Sequence, residues 1–148
     1  PSRLCGFIGF LLVLFLTAGH LCAESAIMNA PVRFRAVDIF VDSKEQPLAA
    51  YQLEFGVTNG NAEIVGIEGG DHPAFAQPPF YDPKAMQHER VIIAAFSTEA
   101  VANLPKGRTR VATIHLQMSG ETAPGFELKI QTAADANGKK LEATGSAK

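Results

Sequence analysis

The chain has 148 residues, 47% of them hydrophobic and 19% charged, with a formal net charge of −2. Mild acidity argues against nucleic acid as a partner, because such binding needs a basic stripe to displace counterions. The composition also excludes collagen, coiled coil and a disordered tail.

Arg3 leads into the apolar run at residues 4–16 (LCGFIGFLLVLFL), and Thr17-Ala18-Gly19-His20 follows. A basic start, a short apolar centre and a small-residue exit are the layout of a secretory signal, read here as an N-terminal hydrophobic helix over residues 1–23, cleaved after Ala23. The competing reading is an uncleaved membrane anchor. Extended through Cys22 the run is about 19 residues long, just enough to cross ~30 Å of hydrocarbon, but Gly19 and His20 weaken its far end. The remainder is expected to be secreted, periplasmic or at the cell surface, and to touch a membrane only through this segment if it is retained. Cys5 and Cys22 both lie in the leader, so the processed domain has no disulfide and depends on apolar burial. Residues 24–30 read as a linker, 31–144 as one domain and 145–148 as a tail; the roughly 125 residues after the leader suffice for one domain and not two.

From Pro31 onward the dominant period is two. Val32, Phe34 and Ala36 share one face, whereas Val37, Ile39 and Val41 have the opposite phase, which predicts a bulge or sheet switch near Ala36-Val37. Ala49, Tyr51, Leu53, Phe55 and Val57 then point one way, and Ala50, Gln52, Glu54 and Gly56 the other. One covered and one wet face indicate an antiparallel sheet. Asn59-Gly60-Asn61 predicts a tight hairpin, with Ala62–Ile67 as the returning strand before Gly69-Gly70. Residues 68–88 hold Pro73, Pro78, Pro79 and Pro83 and read as a long irregular connection.

Arg90–Ser97 is apolar in both phases, as expected of a strand buried on two faces. Leu104-Pro105-Lys106-Gly107 turns into a strand with Ala112, Ile114, Leu116 and Met118 inward and Val111, Thr113, His115 and Gln117 outward. Phe126, Leu128, Ile130 and Thr132 repeat the pattern against Glu127, Lys129 and Gln131. Asp135-Ala136-Asn137-Gly138 is a turn, and Lys140–Ala143 closes the sheet. Ala85–Arg90 and Thr98–Asn103 have room for one helical turn each. About eight strands without a long helical period predict an all-β fold, an antiparallel two-sheet β-sandwich.

The order of VDIFVDS, LAAYQLEFGV, VIIAAFS, LPKGRTRVATIHLQMSG and AADANGKKLEATG resembles the cohesin-like β-sandwich across residues 32–144. The resemblance implies a jelly-roll sandwich of the cohesin and carbohydrate-binding-module type, acting as a non-catalytic module that binds a dockerin-like or other envelope protein through a flat sheet face or through the connection 68–88. The Asp-Pro that often follows the family's second strand is replaced by Thr58-Asn59-Gly60. A scaffold of this kind is compatible with more than one partner, since fold does not decide function.

Candidate sites reduce to one segment. Asp135-Ala136-Asn137-Gly138 places Lys139 where a calcium loop needs an oxygen ligand, so it reads as a turn. His72, His88 and His115 form no metal-ligand spacing; Asp71-His72 would need Asp82 to fold back on it. No serine after the leader lies in a nucleophile motif and no cysteine survives export, so no catalytic residue, metal or cofactor is expected; a small hydrolase, whose pair of carboxylates would come together only in the fold, is the third reading. Phe75, Phe80 and Tyr81 lie among prolines, where the pre-restricted chain loses less entropy on binding, and are the candidate contacts for a protein partner. Phe75 and Phe80 equally suit plugs at the open end of the sandwich, which leaves Tyr81 as the exposed contact. Polysaccharide is the alternative partner. The lack of Trp speaks against it, because Tyr51 and Tyr81 are the only tyrosines and Tyr51 is expected to be buried.

Overall fold

The structure, a computed structural model, describes residues 31–148; the expected leader helix, its cleavage point and the linker lie outside the described residues. Eight strands form: β1 (Val32–Asp42), β2 (Ala50–Asn59), β3 (Asn61–Gly69), β4 (Phe80–Tyr81), β5 (Arg90–Phe96), β6 (Arg108–Ser119), β7 (Gly125–Ala134) and β8 (Thr144–Ala147). They build two antiparallel four-stranded sheets, ordered β3-β6-β1-β8 and β4-β5-β2-β7. The expected all-β, two-sheet architecture is therefore present. Val37, Ile39, Val41, Ile64, Ile114 and Leu116 of the first sheet and Tyr51, Leu53, Phe55, Val91 and Ile93 of the second are buried in one core. Alternation explains this, since one parity of each strand faces the opposite layer.

Consecutive strands lie in opposite sheets at every connection except β4 to β5. The Asn59-Gly60-Asn61 turn is tight, and Gly60 has the positive φ of 77° that such a turn demands. It does not make the expected hairpin, however, because β2 lies in the second sheet and β3 in the first. Turn chemistry specifies a reversal of the chain; which layer the return strand joins depends on its partner, here β6.

β1 has no slip at Ala36-Val37. It pairs β6 in continuous register from Val32↔Ser119 to Ile39↔Ala112. Arg33 and Arg35 thus share the inward parity with Val37, while Val32, Phe34 and Ala36 face outward and are exposed. The irregularity sits on β6 instead, where Ile39 pairs Ala112 and Phe40 pairs Arg110. This bulge turns Val111 inward beside Ala112, and both are fully buried, against the expectation that Val111 faces out. Thr113 does face outward but is buried beneath Arg110, and its hydroxyl donates to Asp38 Oδ1 at 2.8 Å. A second bulge, at Gln131 against Gln52/Leu53, places Ala133 in the core and Thr132 outside, reversing the reading for Thr132.

The chain end also differs. Lys140 makes a single bridge to Ala134, and the closing strand is Thr144–Ala147 paired with β1, so residues 145–147 are not a tail. The Asp135 turn forms as expected: Asp135 Oδ1 accepts from Asn137 N and Lys139 N, both at 2.9 Å, and Gly138 has φ 78°. Val101–Asn103 forms the helical turn foreseen in Thr98–Asn103. The turn placed at Ala85–Arg90 forms earlier, at Pro83–Ala85, where Asp82 Oδ1 caps Lys84 N and Pro83 supplies the first helical φ.

Candidate functional site

β5 carries the decisive departure from expectation. Val91 and Ile93 enter the core, but Ile92 is 41% exposed and Phe96 is 64% exposed. Among the described residues no layer covers the outer face of the second sheet, so the strand is buried there on one face only. Phe80 of β4, 69% exposed, pairs in register with Ala94 and stacks on Phe96, with ring centroids 6.1 Å apart and planes 8° from parallel. Parallel, offset rings at this spacing are a favourable aromatic arrangement. Together Phe80, Phe96, Ile92 and the small Ala94 make an apolar patch on a rigid sheet.

The three residues expected to act as contacts part company here. Phe75 is buried, edge-on to Tyr51 with centroids 5.3 Å apart, and plugs the end of the sandwich. Phe80 does not plug anything. Tyr81 is half-buried and packs against the core from the edge of the second sheet. Phe96 was not singled out in the sequence, although the apolar residues in both phases of VIIAAFS were the available signal.

Depressions flank Phe80. An open groove of about 560 Å³ lies along Phe80, Tyr81, Asp82, Arg90 and Ile92, and a smaller one of about 260 Å³ along Ala50, Gln52, Ala94, Phe96 and Thr132. Beyond the apolar patch the same face becomes polar. Arg90 grips Glu54 with Nε–Oε1 at 2.7 Å and Nη2–Oε2 at 2.9 Å; Gln131 Nε2 donates to Glu54 Oε2 at 3.3 Å, and Gln52 Nε2 donates to Gln131 Oε1 at 2.5 Å. The Arg90 hydrogen bonds, supported by the Arg90 and Lys129 charges and the Gln131 amide, hold the Glu54 carboxyl below its ordinary range against some desolvation. This ladder fixes side chains that would otherwise be free. The face therefore presents an apolar end and an ordered polar end.

The titratable residues considered for chemistry do not converge. Asp71 is held by Arg110, His72 Nδ1 accepts from Ala74 N at 3.2 Å, and Asp82 caps the Pro83 turn. His115 Nε2 stands 3.1 Å from Glu68 Oε1 on the outer face of the first sheet, without a hydrogen bond between them. Among the described residues no three His, Cys, Asp or Glu side chains gather as metal ligands, and no helix is long and apolar enough to cross a membrane. No protein-family model, curated protein or solved structure matches the chain.

Proposed function

We propose that this chain is an exported, non-catalytic protein–protein interaction module with a cohesin-like jelly-roll sandwich, binding a dockerin-like or other envelope protein through the outer face of its second sheet. The reading rests above all on the stacked, exposed Phe80–Phe96 pair beside an ordered polar ladder. Binding faces commonly combine aromatic anchors with a polar rim, and these anchors stand on strands, not on a mobile loop. The apolar run at residues 4–16 supports export.

Magnitudes indicate a modest affinity. Two-thirds of two phenyl side chains at ~200 Å² each is roughly 270 Å², whose burial is worth ~7 kcal/mol before association costs of ~4–15 kcal/mol. Aromatic burial alone does not hold a partner, so contacts along Arg90, Glu54 and Gln131 are needed as well. Affinity capture from an envelope extract is expected to recover one specific protein, lost with Phe80→Ser/Phe96→Ser while the melting temperature stays unchanged. Equal recovery by the variant, or no specific protein, overturns the reading.

Polysaccharide binding is the second reading, favoured by parallel rings next to the Gln52 and Gln131 amides. Retention of the chain on an insoluble polysaccharide, abolished by the same substitutions, would select it over a protein partner.

A further inference from the structure

We infer that the larger groove beside Phe80 is a subsite for a lysine side chain of the protein partner, with Asp82 as its counter-charge. The inference rests on the outer face of the second sheet being the binding face, and it adds the chemistry that this face selects.

The groove has an apolar floor and one uncompensated charge. Phe80, Ala85, Ile92 and Ala94 supply the floor, and Asp82 and Arg90 are the charged residues of the lining. Arg90 is engaged by Glu54 through contacts of 2.7 and 2.9 Å, and farther along the face Lys129 pairs with Glu127 at 3.0 Å. Among the described residues Asp82 has no cationic partner. Lys84 offers it a backbone N–H and not its ammonium. The groove therefore carries an excess negative charge, and charge complementarity calls for a cation.

Asp82 is already oriented. Its Oδ1 accepts from Lys84 N at 2.9 Å, and Pro83 restricts the chain directly after it. Among the described residues Oδ2 is left for an incoming donor. A carboxylate held in this way loses little freedom when it is bound.

The shape of the site selects lysine among cations. Its four-carbon stem lies along apolar surface while the ammonium stays at the polar end, and the exposed face of Phe80 attracts the same charge. Arginine is best matched by a carboxylate with both oxygens open, and here one is occupied by the cap. The second depression, on the other side of Phe80, is smaller at about 260 Å³ against about 560 Å³, and no charged residue lines it. It suits an apolar side chain. The occupant is thus a lysine next to an apolar residue, the two straddling Phe80.

The test uses the full chain and three labelled peptides, Val-Leu-Lys-Leu-Val and its versions with norleucine or glutamate at the centre, read by fluorescence anisotropy. The lysine peptide is expected to bind about fivefold tighter than the norleucine one, with glutamate weakest and the margin shrinking in salt. Asp82→Asn keeps a capping side chain, so the melting temperature should hold while the preference for lysine disappears. Phe80→Ser/Phe96→Ser should abolish binding of all three. Equal affinity for the lysine and norleucine peptides, or a preference that survives Asp82→Asn, overturns the lysine subsite and leaves the face standing. Peptide binding that survives the double substitution removes the face along with the subsite. The subsite is also overturned if no peptide binds, as when the chain's own residues 1–30 fill the groove, or if a neutral polysaccharide displaces the lysine peptide. Capture of the envelope protein, lost only with the double substitution, reports on the face separately.

Discussion

Arg110 ties the loop after β3 to the outer face of the first sheet. Its guanidinium binds Asp71 through both carboxylate oxygens and reaches Asp38 Oδ1 at 3.3 Å and the Thr113 hydroxyl. The Arg110 hydrogen bonds, followed by its charge, hold the Asp71 carboxyl below its ordinary value of 3.8. A carboxylate with a depressed folded pKa contributes stability above the unfolded value and loses it as pH falls through the folded value. Arg110→Met should therefore remove part of the acid sensitivity below about pH 4, and carboxyl NMR should show Asp71 titrating closer to a free aspartate. Tyr51 carries the opposite sign. Burial raises its phenol above the ordinary 10.0, and its hydroxyl donates to Val111 O at 3.1 Å. An unfolded chain ionises first, so stability should decline as pH rises above about 10, less steeply in Tyr51→Phe. At neutral pH that substitution should cost about 1 kcal/mol, seen as a lower denaturant midpoint at constant slope.

At the scale of elements, close approaches decide where the irregular connection sits. A Cβ on Gly70 would overlap the carbonyl of Arg110, and one on Gly69 the carbonyl of Ala76. Backbone cannot yield as a flexible side-chain end can. Gly70→Ala should accordingly cost about 2 kcal/mol or more, by pushing the loop off β6 and disturbing the bulge that buries Val111. Gly56→Ala is the control: its Cβ would meet open space on the outer face of β2, and the expected change is nil or a gain of about 0.5 kcal/mol from the less flexible unfolded chain. Chemical denaturation of both variants checks the pair. β2 was fully legible in sequence because its alternation runs unbroken from Tyr51 to Phe55. β6 and β7 were legible only in part. A bulge turns Val111 and Ala133 inward, and an added residue depends on the neighbouring strand's register, which one strand's own pattern does not record. The same holds for Phe96: its apolar character was visible, but whether a second layer lay over it was not.

For the whole molecule, the alternation of consecutive strands between layers has kinetic consequences. Among the described residues, β4 and β5 apart, no two strands adjacent in the chain pair as a local hairpin, so nearly every pairing closes a long loop first. Stopped-flow refolding of the described domain should be slow, on the millisecond-to-second scale of sandwiches, and its midpoint should be indifferent to reductant since residues 31–148 contain no cysteine. A microsecond phase carrying the full amplitude would contradict this topology. The amino-acid sequence by itself determined the all-β character, the two-layer core and most of the turns, because side-chain parity and the φ preferences of Gly, Asn and Pro act within a few residues. Tertiary structure alone decided which layer each strand joins, and that Phe75 is buried while Phe80 and Phe96 are open. The physical reason is that an apolar side chain is core or surface according to what lies opposite it, and that neighbour comes from a distant part of the chain.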